Sequence, residues 1–151
     1  MIIANWKCNG SKKMIQDWSK HYKDTYIPFE NTFVGIAPPY IYVEQLINLI
    51  HAHGLDIQIG VQDIDISSGA RTGAISVDMI QDMECQFTIL GHSERRTIFD
   101  ESNESISAKL DSVGNKVQTI LCVGESAKEN NAKETRNVLI DQLSVIEGKV
   151  L

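Results

Sequence analysis

The sequence predicts an α/β fold built from about five strand–helix units around a parallel sheet, and three observations predict it. Short apolar runs begin near residues 1, 32, 55, 87 and 117. Between them lie stretches whose apolar residues recur at helical spacing. The repeat is roughly the 30 residues of a βαβ unit. The strand candidates are also continuous apolar runs rather than alternating ones, as strands covered on both faces require.

The elements follow in order. Met1 to Asn5 is the first strand, and a polar turn runs on to Gly10. Met14, Ile15, Trp18 and Tyr22 fall on one helical face, so a helix is expected from Ser11. Thr32 to Ala37 is the second strand, stopped by Pro38-Pro39, whose nitrogens cannot continue a ladder. Val43, Leu46, Ile47 and Ile50 predict the next helix, and Gly54 stands where a helix end favours a left-handed residue. Leu55 to Val61 is the third strand. A long polar loop containing Ser-Ser-Gly-Ala-Arg-Thr-Gly follows, and Ser76 caps a short helix to about Met83. Phe87 to Leu90 is the fourth strand. Ile106, Leu110 and Val113 mark a helix ended by Gly114, and Val117 to Val123 is the fifth strand. A last helix carries Val138, Leu139, Leu143 and Ile146, with Lys128 to Arg136 as its solvated part and Gly148 beyond it.

Strict alternation of strand and helix implies right-handed crossovers in one domain over residues 1–151. Two architectures satisfy it: an open five-stranded sheet of the flavodoxin-like kind, and the front part of an eight-stranded barrel. Pattern alone leaves both open.

Composition removes several classes of function. Lys and Arg total 14 against 20 Asp and Glu, a net charge of −6, whereas a nucleic-acid surface carries a basic excess. A small anionic substrate remains compatible, because a local basic pocket can sit in an acidic protein. No apolar run approaches the roughly 18 residues of a membrane span. The N-terminus has no basic segment followed by an apolar core, so no leader is expected. Cys8, Cys85 and Cys122 are odd in number, widely spaced and form no CxxC, which fits reduced thiols in a cytoplasmic protein. His51 and His53 do not share a helix face, and no nucleotide-binding glycine string occurs, so neither a metal nor a cofactor is expected.

In either architecture function gathers at the C-terminal ends of the strands. There the chain places Asn5-Trp6-Lys7-Cys8-Asn9-Gly10, the loop around Thr72, Gly91-His92-Ser93-Glu94-Arg95-Arg96 and Gly124-Glu125-Ser126. His92 leaves a strand and opens a helical turn. A helix N-terminus disfavours further positive charge, so a neutral imidazole that donates to a carbonyl oxygen is expected. That is electrophile chemistry for proton abstraction beside a carbonyl. Lys7 can neutralise an anionic substrate and a developing enolate. Glu94 can pair with Lys7 and fix it. Read singly, each is an ordinary surface residue.

Read together they are specific. Asn-Trp-Lys-x-Asn-Gly, Gly-Ala-x-Thr-Gly, Ile-Leu-Gly-His-Ser-Glu-Arg-Arg and Cys-Val-Gly-Glu, in this order along the whole chain, resemble the triosephosphate isomerases. The resemblance implies a barrel lineage, and so an incomplete TIM (β/α)8 barrel of about five units. It implies Lys7 and Asn5 as substrate-binding residues, His92 as the electrophile and Glu94 as the partner of Lys7. It implies that Thr72 reaches toward a neighbouring subunit and that Cys122 is buried. Arg71 stands where the family often has an aromatic residue and Ala74 where it usually has Glu. Both touch the family's dimer contact, and either drift or an altered dimer would account for them.

The resemblance also sets an expectation of inactivity. The family's base is a glutamate in an Ala-Tyr-Glu-Pro-Val-Trp string at the sixth strand, and these 151 residues contain no such string. Glu125 does not match its position. The closing lid and the phosphate loops of later strands are likewise not expected here. The chain alone should therefore bind triose phosphate weakly or not at all. Its two sheet edges, expected at the first and fifth strands, should drive self-association. The alternative is a non-catalytic, self-associating α/β scaffold.

Overall fold

The computed structural model describes residues 1–28 and 30–149. Its elements are β1 (Ile2–Asn5), α1 (Lys12–Thr25), β2 (Val34–Ala37), α2 (Val43–His53), β3 (Gln58–Val61), α3 (Val77–Asp82), β4 (Phe87–Leu90), α4 (Ser93–Ile98), α5 (Asn103–Val113), β5 (Gln118–Leu121), α6 (Ala127–Asn131) and α7 (Thr135–Leu143). α1, α3 and α5 start where a serine side chain satisfies an orphan amide. Ser11 accepts from the Met14 amide at 3.1 Å, Ser76 from Met79 at 3.3 Å and Ser102 from Ser105 at 3.2 Å. Gly54 ends α2 in the left-handed region, φ 61°, and returns its amide to Ile50 and His51.

The five strands are parallel, and each pairs with the next in sequence. A flavodoxin-like sheet must reverse its strand order at a switch point. This one never does, so the open-sheet alternative falls and the sheet is an incomplete (β/α)8 barrel, a curled half-barrel of five strands.

Two apolar layers hold it. The outer layer lies between strands and helices and contains Ile15, Leu46, Ile59, Val61, Ile106 and Val113, all buried. Trp6 extends it from the end of β1, meeting Trp18 edge-on at 5.7 Å, and Trp18 stacks on Tyr22 at 5.1 Å. The inner layer is small: Ala37, Phe87 and Ile89 are buried, with Ile3, Phe33, Ile120 and Cys122 only partly covered. Phe87 fits because two glycines face it. A Cβ on Gly60 would come within 2.5 Å of its ring, and one on Gly35 within 2.8 Å. Cys122 is half-buried, less covered than the family resemblance implies, because it belongs to this open inner layer. All four residues of β4 are buried, whereas among the described residues β1 and β5 each pair on one side only and stay partly exposed.

The C-terminal helix expected as one piece is two. α6 has its own capping box, Ser126 with Glu129, and the chain turns at Lys133, φ 60°, before α7. Neither helix buries a residue, so no continuous apolar face aligns them into one rod. The apolar anchor is Val145, 3% exposed, in the following short turn at Ser144–Ile146.

Candidate active site

Because all strands run the same way, their C-terminal ends share one rim. A cleft of about 400 Å³ opens there, lined by Asn5, Lys7, Gln62, Asp63, His92 and Glu94 among others. β1 delivers Asn5 and Lys7. Lys7 takes φ 52°, a conformation a non-glycine residue adopts only when its surroundings hold it there. Two of those restraints are visible: the Lys7 amide donates to Asn5 Oδ1 at 2.9 Å, and the Lys7 carbonyl accepts from Gln62 Nε2 at 2.9 Å. The same Gln62 nitrogen donates to the Ala37 carbonyl, also at 2.9 Å, so the ends of β1, β2 and β3 are joined through one amide.

β4 delivers His92 and Glu94. His92 is the N-cap of α4, and its Nδ1 accepts from the Glu94 amide at 3.2 Å. With Nδ1 accepting, that geometry assigns the proton of a neutral ring to Nε2. Glu94 Oε2 lies 3.6 Å from the same Nδ1, but an accepting Nδ1 makes no ion pair with it. The Glu94 carboxylate belongs instead to Lys7, whose Nζ donates to Oε1 at 2.6 Å. That hydrogen bond holds the Glu94 carboxyl below the usual carboxylate range.

In the wall of the cleft lies a cluster that sequence reasoning missed. Lys109 donates to both oxygens of Asp63 at 2.7 Å and to Glu101. Arg95 reaches Asp63 at 3.0 Å and faces Glu101 at 3.8 Å. Burial pushes the Asp63 carboxyl up, and its contacts with Lys109 oppose that. A signal was present: Lys109 falls between Ile106 and Leu110 on the apolar stripe of α5, where a lysine is out of place unless it is paired.

The other proposed site residues are spread out. Ala74 reaches the rim of the cleft. Thr72 and Arg71 are exposed and outside its lining, and Arg71 is bound to Asp65 at 2.7 Å. Glu125 is turned to the start of α6, where it accepts from Asn130 at 2.9 Å.

The profile of the family described as triosephosphate isomerase matches residues 1–150. Curated triosephosphate isomerases of Erwinia tasmaniensis and Sodalis glossinidius are each 36% identical over 97% of this chain. One from Escherichia coli O1:K1 is 35% identical over the same share. The chain spans 57% of the length of these relatives. Among the described residues no helix is long and apolar enough to cross a membrane. A sequential parallel half-barrel whose rim gathers these motifs, matched by the family profile over residues 1–150, belongs to the triosephosphate isomerase family.

Proposed function

We propose that the cleft is the electrophilic half of a site that interconverts dihydroxyacetone phosphate and glyceraldehyde 3-phosphate. The observation that carries this reading is the hydrogen bond from the Glu94 amide to His92 Nδ1: with Nδ1 taken as an acceptor, Nε2–H is left to donate to a substrate carbonyl oxygen. Such a donor stabilises the charge that develops on that oxygen as the neighbouring carbon loses its proton. Lys7 supplies the cation for an anionic substrate and its enediolate, Glu94 holds Lys7 in place, and Asn5 helps seat the substrate beside it.

The same reading makes these 151 residues inactive alone. Proton abstraction needs an uncommitted base in reach of carbon. Each carboxylate lining the cleft is engaged: Asp63 by Lys109 and Arg95, Asp65 by Arg71, Glu94 by Lys7. A positioned base contributes on the order of 10²–10⁴ in rate, so activity waits for a polypeptide that brings a glutamate to the opposite side of the cleft. Arg71, Thr72 and Ala74 form the loop that would meet a second subunit. The setting that goes with this chemistry is the cytoplasm.

A second reading, a self-associating scaffold, is supported by the one-sided pairing of β1 and β5. Copies would cover one another's edges. A coupled isomerase assay, with and without a polypeptide supplying the remaining strands of a relative, separates the two. Turnover only with the supplement supports the isomerase reading. Turnover by the chain alone overturns the claim that it lacks a base, and silence in both arms leaves the scaffold.

A further inference from the structure

The helix that carries His92 has little to hold it. α4 is six residues long and buries none of them. Its position depends on polar anchors. Arg96 donates from Nε to the Gly91 carbonyl at 2.8 Å and from Nη1 to Asn103 at 2.7 Å, which fixes the side of α4 facing α5. The side facing the loop after β3 is held by Arg95, whose amide also donates to the His92 carbonyl at 2.8 Å.

Arg95 can anchor α4 only if Asp63, which it contacts at 3.0 Å, and Glu101, which it faces at 3.8 Å, stay still. Asp63 follows β3, and Glu101 lies between α4 and α5. Their side chains are 13% and 3% exposed, so their charges would repel in a poorly screened place. Lys109, 7% exposed, donates to both and holds them together. The cluster is charge-balanced, with two cations and two carboxylates, and Asp63, Arg95 and Lys109 line the cleft.

We propose that Lys109 is a positioning residue: by clamping Asp63 and Glu101 it fixes Arg95, and Arg95 fixes the turn of helix at which the His92 imidazole takes its Nε2–H tautomer. Lys109 borders the cleft, but its Nζ is committed to Asp63 and Glu101, so it acts through those two carboxylates and Arg95. The inference rests on the reading of His92 as the electrophile for its meaning. Its test needs neither substrate nor turnover, so the two can fail separately.

The test is long-range proton–nitrogen NMR of the imidazole side chains in the whole 151-residue chain. Wild-type His92 should show one protonated and one accepting nitrogen. In Lys109→Met that distinction should be lost, with both nitrogens averaging between tautomers, while His21, His51 and His53 keep their wild-type signals. Lys109→Arg should restore it, since a guanidinium can bridge the same two carboxylates. An unchanged His92 pattern in a folded Lys109→Met protein overturns the proposal. If Lys109→Met does not fold, Arg95→Met decides the matter. Its side chain is one-third exposed, so its removal is milder. Loss of the His92 pattern there supports the clamp, and its retention overturns it.

Discussion

Lys7 Nζ and Glu94 Oε1 lie 2.6 Å apart, although one residue follows β1 and the other follows β4, with two strands between them. The contact spans the mouth of the curled sheet. Both side chains are close to half exposed, 49% and 42%, so water screens the pair. On the proposed function its worth lies in placing a cation in the cleft, and little stability should depend on it.

The pair should be visible in the titration of Glu94. The hydrogen bond from Lys7 lowers this carboxyl below its ordinary value. A depressed folded value contributes stability above the unfolded value, and that contribution is lost as pH falls through the folded one. Side-chain carbon NMR should find the Glu94 midpoint below that of a free glutamate. Lys7→Met should return it toward the ordinary range while the thermal midpoint of the protein barely moves. A Glu94 midpoint indifferent to Lys7 would mean that the two do not meet in solution.

The buried cluster should behave in the opposite way. Removing Lys109 leaves two carboxylates facing Arg95 alone, a loss of about 3–5 kcal/mol for breaking a buried pair. Burial already raises the folded value of Asp63. Removing Lys109, which opposes that rise, should lift it further. A raised carboxyl is least costly when protonated. The deficit of Lys109→Met in urea unfolding should therefore be largest near neutral pH and shrink as the solution is acidified. A deficit that grows in acid would contradict the assignment.

Gly60 sets a limit on packing inside the sheet. A Cβ there would lie 2.5 Å from both the Phe87 ring and the Phe87 carbonyl oxygen. Gly60→Ala should cost about 1–3 kcal/mol in urea unfolding. Because one of the clashing atoms is backbone, pairing it with Phe87→Leu should not recover the loss. Full recovery would show that only the ring was in the way.

The free edge of β5 offers a test of self-association. Gln118 donates its amide to the Gln86 carbonyl just before β4, and Cys122 donates to Leu90 of β4, at 2.9 Å each. Alternation along a parallel strand turns the Thr119 amide to the other side. Thr119→Pro should remove an outward donor and leave the β4–β5 ladder intact. If copies join through this edge, light scattering should record a smaller particle mass for the variant than for the wild type. An unchanged mass would place the contact elsewhere.

Much of this was legible in the sequence, and for physical reasons. Strands wrapped on both faces leave unbroken apolar runs, so Phe87 to Leu90 was read at its observed bounds. Caps are local, so Ser11, Ser76 and Gly54 marked real helix ends. Strand order was not legible, because a βαβ repeat is the same in an open sheet and a barrel. The motif at His92 carried that choice. The cluster at Lys109 is not legible because Asp63 lies far from Arg95, Glu101 and Lys109 in the chain, and only the fold shows that the four meet. The break at Lys133 was missed because Val138, Leu139 and Leu143 suggest a helix without saying where it begins.

Gln62 has a mechanical consequence. One side-chain nitrogen ties the Lys7 carbonyl to the Ala37 carbonyl, so three neighbouring loops bend together or not at all. The cation's backbone is thus guyed in its uncommon left-handed shape before any ligand arrives. Whatever anion enters finds the perch already assembled, and its binding need not supply the work of building it.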